Sequence, residues 1–161
     1  MTYEFAERTR GMSHGGVAAA HAVVQNAGLV ERIDASLELL KFHRPYHESD
    51  HVLNIAYNLL CGGQTFDDIE LRRNDEVFLD ALDVEAIPDP TTAGDFCRRF
   101  GTEDVSKLMS AINESRLSVW RQLEPSFTDQ RARIDADGTL VRTTGACKEG
   151  MAFSYKKVWG Y

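Results

Sequence analysis

The chain contains no uninterrupted apolar stretch approaching the roughly 18 residues that a membrane span needs. Its first residues, MTYEFAERTRGMSHGG, lack the apolar centre of a secretory signal. Three cysteines, Cys61, Cys97 and Cys147, are too few and too widely spaced for a disulfide framework or a CxxC metal knuckle. Together these absences predict a soluble, cytoplasmic protein with reduced thiols. Internal repeats and low-complexity tracts are also missing. Only four prolines occur in 161 residues, so each reads as a break in regular structure.

Basic charge is scarce as well, and the net charge of −7 argues against a surface that binds phosphate everywhere. The deficit is uneven. Residues 1–125 hold 12 basic and 21 acidic side chains, whereas residues 126–161 hold 6 basic and 4 acidic. Any nucleic-acid contact must therefore come from a local patch.

What is present, with 43% hydrophobic residues, is a series of short helical patterns. An Ala-rich helix is expected over Val17 to Asn26, closed by Gly28, and another from about Glu31 to Lys41, ended before Pro45. Ser49 or Asp50 is expected to cap HVLNIAYNLL, with Val52, Leu53, Ile55, Ala56, Leu59 and Leu60 on its apolar face and Gly62-Gly63 as its stop. Thr65 and Asp68 have capping-box spacing ahead of a helix to Arg73, and DEVFLDAL continues as helix. Ile87-Pro88-Asp89-Pro90 must be extended, after which Thr91 or Thr92 can cap AGDFCRRF. After Gly101, Thr102 is expected to cap the longest helix, which runs to about Leu123 with Val105, Leu108, Met109, Ile112, Val119, Trp120 and Leu123 on its buried side. Pro125 marks a domain boundary.

Beyond Pro125 the pattern shifts to β-branched and alternating residues. RARIDADGTLV and MAFSYKKVWGY read as strands, with a turn at Thr143-Thr144-Gly145. On a strand, Asp135 and Asp137 would project from one face and could share a divalent cation. The plainer alternative is that Asp137-Gly138 is a hairpin turn.

The segment IDADGTLVRTTGACKEGMAFSYKKVWGY resembles the first conserved block of insertion-sequence transposases with a DDE catalytic core, in the group named after insertion sequence thirteen-eighty. Upstream, HESDHVLNIAYNLLCGG, DDIELRRNDEVFLDAL, IPDPTTAGDFCRRF and AINESRLSVW are similar to that group's N-terminal region, so the likeness spans nearly the whole chain. It implies an α+β protein: a helical N-terminal region over residues 1–125, then, over 126–161, the first strands of an incomplete RNase-H-like domain. It further implies Mg²⁺-dependent cleavage and transfer of DNA strands at the terminal inverted repeats of an insertion sequence. Asp137 would be the first metal ligand, with Asp135 as alternate or support. The second aspartate and the glutamate have no counterpart here, so the chain reads as truncated, inactive alone, and a weak Mg²⁺ binder at best.

Three further features follow from the residues. His47-Glu48-Ser49-Asp50-His51 fits the HExxH zinc pattern, but Pro45 upstream and the capping residues inside it suggest a helix start instead. Arg98 and Arg99, on a short helix entered through Thr91 and Thr92, are compatible with a helix-turn-helix whose hydroxyls and amides meet phosphate; an ordinary capped helix is the alternative. Arg142, Lys148, Lys156 and Lys157, interleaved with Phe153, Tyr155 and Trp159, could line a groove for a DNA strand, though the aromatics are expected in the core. A rival reading is a non-catalytic helical module that forms homo-oligomers or pairs with full-length transposase through the Thr102–Leu123 helix.

Overall fold

The computed structural model describes residues 11–144 and 148–161. Residues 1–10, Cys147 and the Gly145 end of the expected turn lie outside them. Two compact units divide the chain, Met1–Thr128 and Asp129–Tyr161. The secondary structure is mostly helical with one small two-stranded antiparallel sheet, an α+β protein at that level of description. No helix among the described residues is long and apolar enough to cross a membrane.

The first unit contains α1 (Gly16–Asn26), α2 (Leu29–Ser36), α3 (Glu48–Leu60), α4 (Ile69–Arg73), α5 (Glu76–Ala81), α6 (Pro90–Cys97) and α7 (Thr102–Leu123). Gly28, at φ 63°, takes the left-handed conformation that lets α1 end and α2 begin with almost no linker. Asp68 accepts from the Thr65 amide (2.8 Å) and hydroxyl (3.0 Å), the expected capping pair, and starts the 3₁₀ turn Phe66–Asp68 that leads into α4. Asp75 accepts from the Val77 and Phe78 amides and starts α5.

Apolar side chains from α1, α3, α4, α5 and α6 form the core, with Val17, Leu53, Tyr57, Ile69, Phe78, Leu82, Ile87 and Ala93 in one cluster. Helix α3 lies at its centre, but its buried face is not the one its hydrophobic residues suggested. Leu59 and Leu60 are exposed, while Glu48, Ser49, His51, Asn54 and Asn58 are buried beside Leu53 and Tyr57. The reason is hydrogen bonding to incoming chain. Asn54 Nδ2 donates to Pro88 O (2.9 Å), Asn58 Nδ2 to Thr65 O (2.9 Å), and Ser49 donates through its amide and hydroxyl to Asp34 on α2 (2.8 and 2.9 Å). Loop carbonyls buried against a helix need such donors, so polar side chains displace leucines from the inner face.

Helix α7 also turns a different face inward. It packs on α2 through the small residues Ala111 and Ser115, leaving Val105, Met109 and Leu123 more than half exposed. Arg32 of α2 fixes this contact, donating to Ala27 O (2.6 Å), Gly28 O (3.0 Å) and Ser115 Oγ (3.4 Å). Small residues allow the close approach that this arginine then spans.

The second unit is a short ribbon. Strands β1 (Ala152–Phe153) and β2 (Trp159–Gly160) pair antiparallel, Phe153 opposite Trp159, around a turn at residues 154–158. The backbone of Val141 exchanges two 3.1 Å hydrogen bonds with Tyr161, and Arg142 forms an isolated bridge with Gly160. Gly160 is required there, because a Cβ would collide with Val141 O. Two expected strands are thus rearranged. MAFSYKKVWGY is a hairpin folded on itself, and residues 130–140 have no regular secondary structure. A ribbon this narrow does not display an RNase-H-like core.

Candidate nucleic-acid interface

Asp135 and Asp137 lie in the irregular, exposed segment that precedes the ribbon. The expected strand geometry that would pair them on one face is absent, as is an Asp137-Gly138 hairpin. No hydrogen bond or ion pair engages either carboxylate among the described residues, and both are open to solvent. Two exposed carboxylates fall short of the near-octahedral oxygen shell that Mg²⁺ demands. Among the described residues no three His, Cys, Asp or Glu side chains converge as a metal site.

The basic residues of the same unit sit on the hairpin and beside it. Lys156 and Lys157 occupy the turn, where the Lys157 amide bonds Ser154 O (2.9 Å) and Lys157 adopts φ 58°. Lys156 Nζ stands 5.6 Å from the Tyr155 ring centre, and Lys148 donates to the Thr143 hydroxyl. The aromatics expected in a core are outside it. Tyr155 is 90% exposed, and Phe153 and Trp159 meet edge to face at 5.6 Å on an open surface. Lysines beside uncovered rings are the elements with which proteins hold a single nucleic-acid strand.

Thr91, Thr92, Arg98 and Arg99 are arranged differently from the expected helix-turn-helix. Asp89, not a threonine, caps α6, and Pro90 fills its first position. Thr92 is turned back onto that cap, through its amide (2.9 Å) and hydroxyl (2.6 Å). The Thr92 hydroxyl above all, then its amide, holds the Asp89 carboxyl below its ordinary range. The helix end that was to greet phosphate therefore carries a fixed negative charge, with Thr91 exposed beside it. Helix α6 stops at Cys97, which places both arginines past its end. Arg98 pairs with Asp95, and Arg99 Nη1 donates to Leu39 O (3.1 Å).

The HExxH pattern is structural. His47 is the N-cap of α3, its amide bonded to Asp50 (2.8 Å). Ser49 and Asp50 lie inside the helix, not at its cap. Glu48 points inward, 1% exposed, and accepts from the Leu39 and Leu40 amides (2.9 and 3.0 Å), with His43 Nε2 3.2 Å from its carboxylate. Burial alone would raise its pKa; the amides of Leu40, Glu48 and Leu39, with His43, outweigh that and hold it below the ordinary carboxylate value. His51 is buried, stacked on Phe96 at 4.6 Å, and burial lowers its pKa.

The Glu48 clamp shapes a loop to which the sequence pattern gave no role. Lys41, Phe42, His43 and Arg44, read as a helix end and its exit, are all exposed on the α2–α3 loop. The signal in the sequence was the Lys-Phe-His-Arg run itself, a ring flanked by cations in an otherwise acidic region. No protein-family model, no curated protein and no solved structure matches the chain.

Proposed function

We propose that this chain is a DNA-contacting protein of the DDE transposase type, in which a helical N-terminal unit precedes the segment bearing the first catalytic aspartate. The observation that carries the reading is the second unit. Lys148, Lys156 and Lys157 accompany uncovered Phe153, Tyr155 and Trp159 on a ribbon that follows directly from two unengaged carboxylates, Asp135 and Asp137. Cations and rings can hold a DNA strand while carboxylates take part in phosphoryl chemistry. In that reading Mg²⁺ and an RNase-H-like core belong to a completed acidic triad, with Asp137, or Asp135, as first member. The DNA is that of insertion-sequence ends. The two carboxylates supply too few ligands for this chain to cleave DNA unaided.

Fluorescence anisotropy with labelled duplex and single-stranded DNA tests the reading. Binding should weaken steeply with salt, and Lys156→Glu with Lys157→Glu should reduce the salt slope by about one for each phosphate that is no longer neutralised. Absence of salt-dependent binding to any DNA would refute it.

A second reading rests on α7. Its exposed Val105, Met109 and Leu123 form an apolar stripe suited to pairing with another copy or with a full-length transposase. Sedimentation should then give a dimer that Met109→Glu dissociates. A monomer at all concentrations removes self-pairing.

A further inference from the structure

The loop between α2 and α3 combines three properties that seldom coincide. The first is exposure of a large ring: Phe42 is 81% exposed, with Lys41, His43, Arg44 and His47 exposed around it. The second is charge. Between Leu37 and His47 the only acidic residue is Glu38, so the loop is a basic stretch on a unit that is otherwise strongly acidic. Glu38 lies exposed at the start of this stretch, and of the acids on the adjoining helices Glu48 bonds the loop amides, Asp50 the His47 amide and Asp34 the Ser49 hydroxyl and amide.

The third property is that the loop is held. Buried Leu37 anchors its start, Glu48 accepts two successive amides, and Arg99 from beyond α6 donates to Leu39 O. His43 lies against Glu48 and stacks parallel on His47, ring centres 5.3 Å apart. Groups from α3 and the α6–α7 connection thus brace a segment with no regular structure of its own. Leaving a phenylalanine in water opposes the hydrophobic effect, and a loop held on either side of an exposed ring lowers the backbone ordering cost of binding.

We propose that this loop is a DNA contact, in which an unpaired base stacks on Phe42 while Lys41 and Arg44 meet the flanking phosphates. Stacking on a ring suits any base, and the adjacent cations supply affinity without sequence information. The ligand class is single-stranded or locally unpaired DNA, since a paired base offers no free face. The inference rests on the DNA-contacting reading above and adds a second contact to it. Arg99 acts here as a positioning residue that holds the loop, and not as a groove-reading side chain.

The test uses the full chain and labelled oligothymidylate, with an abasic strand of equal length as control. Phe42→Ala should weaken oligothymidylate binding on the order of tenfold. Its effect on the abasic strand should be small. Lys41→Glu with Arg44→Glu should weaken both strands and lower the salt slope by about one to two. All three side chains are exposed, so circular dichroism and the unfolding midpoint should not change. If the wild type binds DNA and the loop variants bind equally well, the inference fails while the broader reading stands. An equal Phe42→Ala effect on both strands would also overturn it, because the ring would not be stacking on bases. If the wild type binds no DNA, both fall.

Discussion

The two units of this chain use their polar and aromatic residues in opposite ways. In the helical unit, Glu48, Ser49, Asn54 and Asn58 are buried and each closes a hydrogen bond to a loop or neighbouring helix, and Phe78 and Phe96 are covered. In the ribbon unit, Phe153, Tyr155 and Trp159 stand in solvent, and Asp135 and Asp137 are unengaged. Buried groups make structure, and exposed groups without partners are free to meet a ligand. The difference is the basis for proposing ligand contacts outside the core and, within the helical unit, at the braced and exposed α2–α3 loop.

The largest expected effect would sharpen this contrast. Phe96→Ala should destabilise the helical unit by about 3–5 kcal/mol in urea unfolding followed by helical circular dichroism, because it opens a cavity beneath His51. Phe153→Ala should change the same midpoint by less than about 0.5 kcal/mol, since its ring is more than half exposed and belongs to the ribbon unit. Comparable losses from both would erase the distinction. Next in size is Glu48→Ala, expected to cost roughly 2 kcal/mol by stranding the Leu39 and Leu40 amides, with Glu48→Gln, which keeps an acceptor, costing less. Gly63→Ala should cost about 1–3 kcal/mol, because its Cβ would overlap Asn58 Oδ1 and break the seam to Thr65.

Acid should weaken the helical unit in two windows. Burial, partly opposed by Asp50 and Glu48, lowers the pKa of His51 from its ordinary 6.5, so the unfolded chain takes up a proton that the folded chain refuses. That contribution is complete above about pH 6.5 and is lost as the pH falls below it. The Glu48 carboxyl, held below its ordinary 4.5, contributes above that value and loses its contribution as the pH drops through the lower folded value. His51→Phe should flatten the upper slope of stability against pH and leave the lower one; an unchanged upper slope would mean another group titrates there. The smallest effect belongs to Asp135→Ala and Asp137→Ala, each within about 0.5 kcal/mol of wild type.

Local signals were legible in the sequence wherever one short stretch decides the outcome. Gly28 does end the first helix, Thr65 and Asp68 do start a turn together, and α7 does run from Thr102 to Leu123. Which face of a helix is buried was not legible, because it depends on partners distant in sequence. Helix α3 buries asparagines and a glutamate since loops at Leu39, Thr65 and Pro88 need hydrogen bonds, and α7 turns Ser115 inward, where Arg32 donates to it. The expected caps at Ser49 or Asp50, at Thr91 or Thr92 and at Thr102 were displaced to His47, Asp89 and Gly101, shifts of one to three residues that local chemistry scarcely distinguishes. Alternation in RARIDADGTLV suggested a strand, yet no neighbouring strand pairs with residues 130–140 in the described ribbon, and β-structure forms only with a partner.

Hydrogen exchange across the whole chain, with and without oligothymidylate, tests the central claim most directly. Amides of α3 and α7 should be protected throughout, and residues 130–140 should exchange rapidly without DNA. Adding DNA should slow exchange at residues 141–143 and 152–160 and on the loop at 39–47, and leave the interior of α3 unchanged. Exchange that DNA leaves unaltered in both the ribbon and the loop would contradict the account.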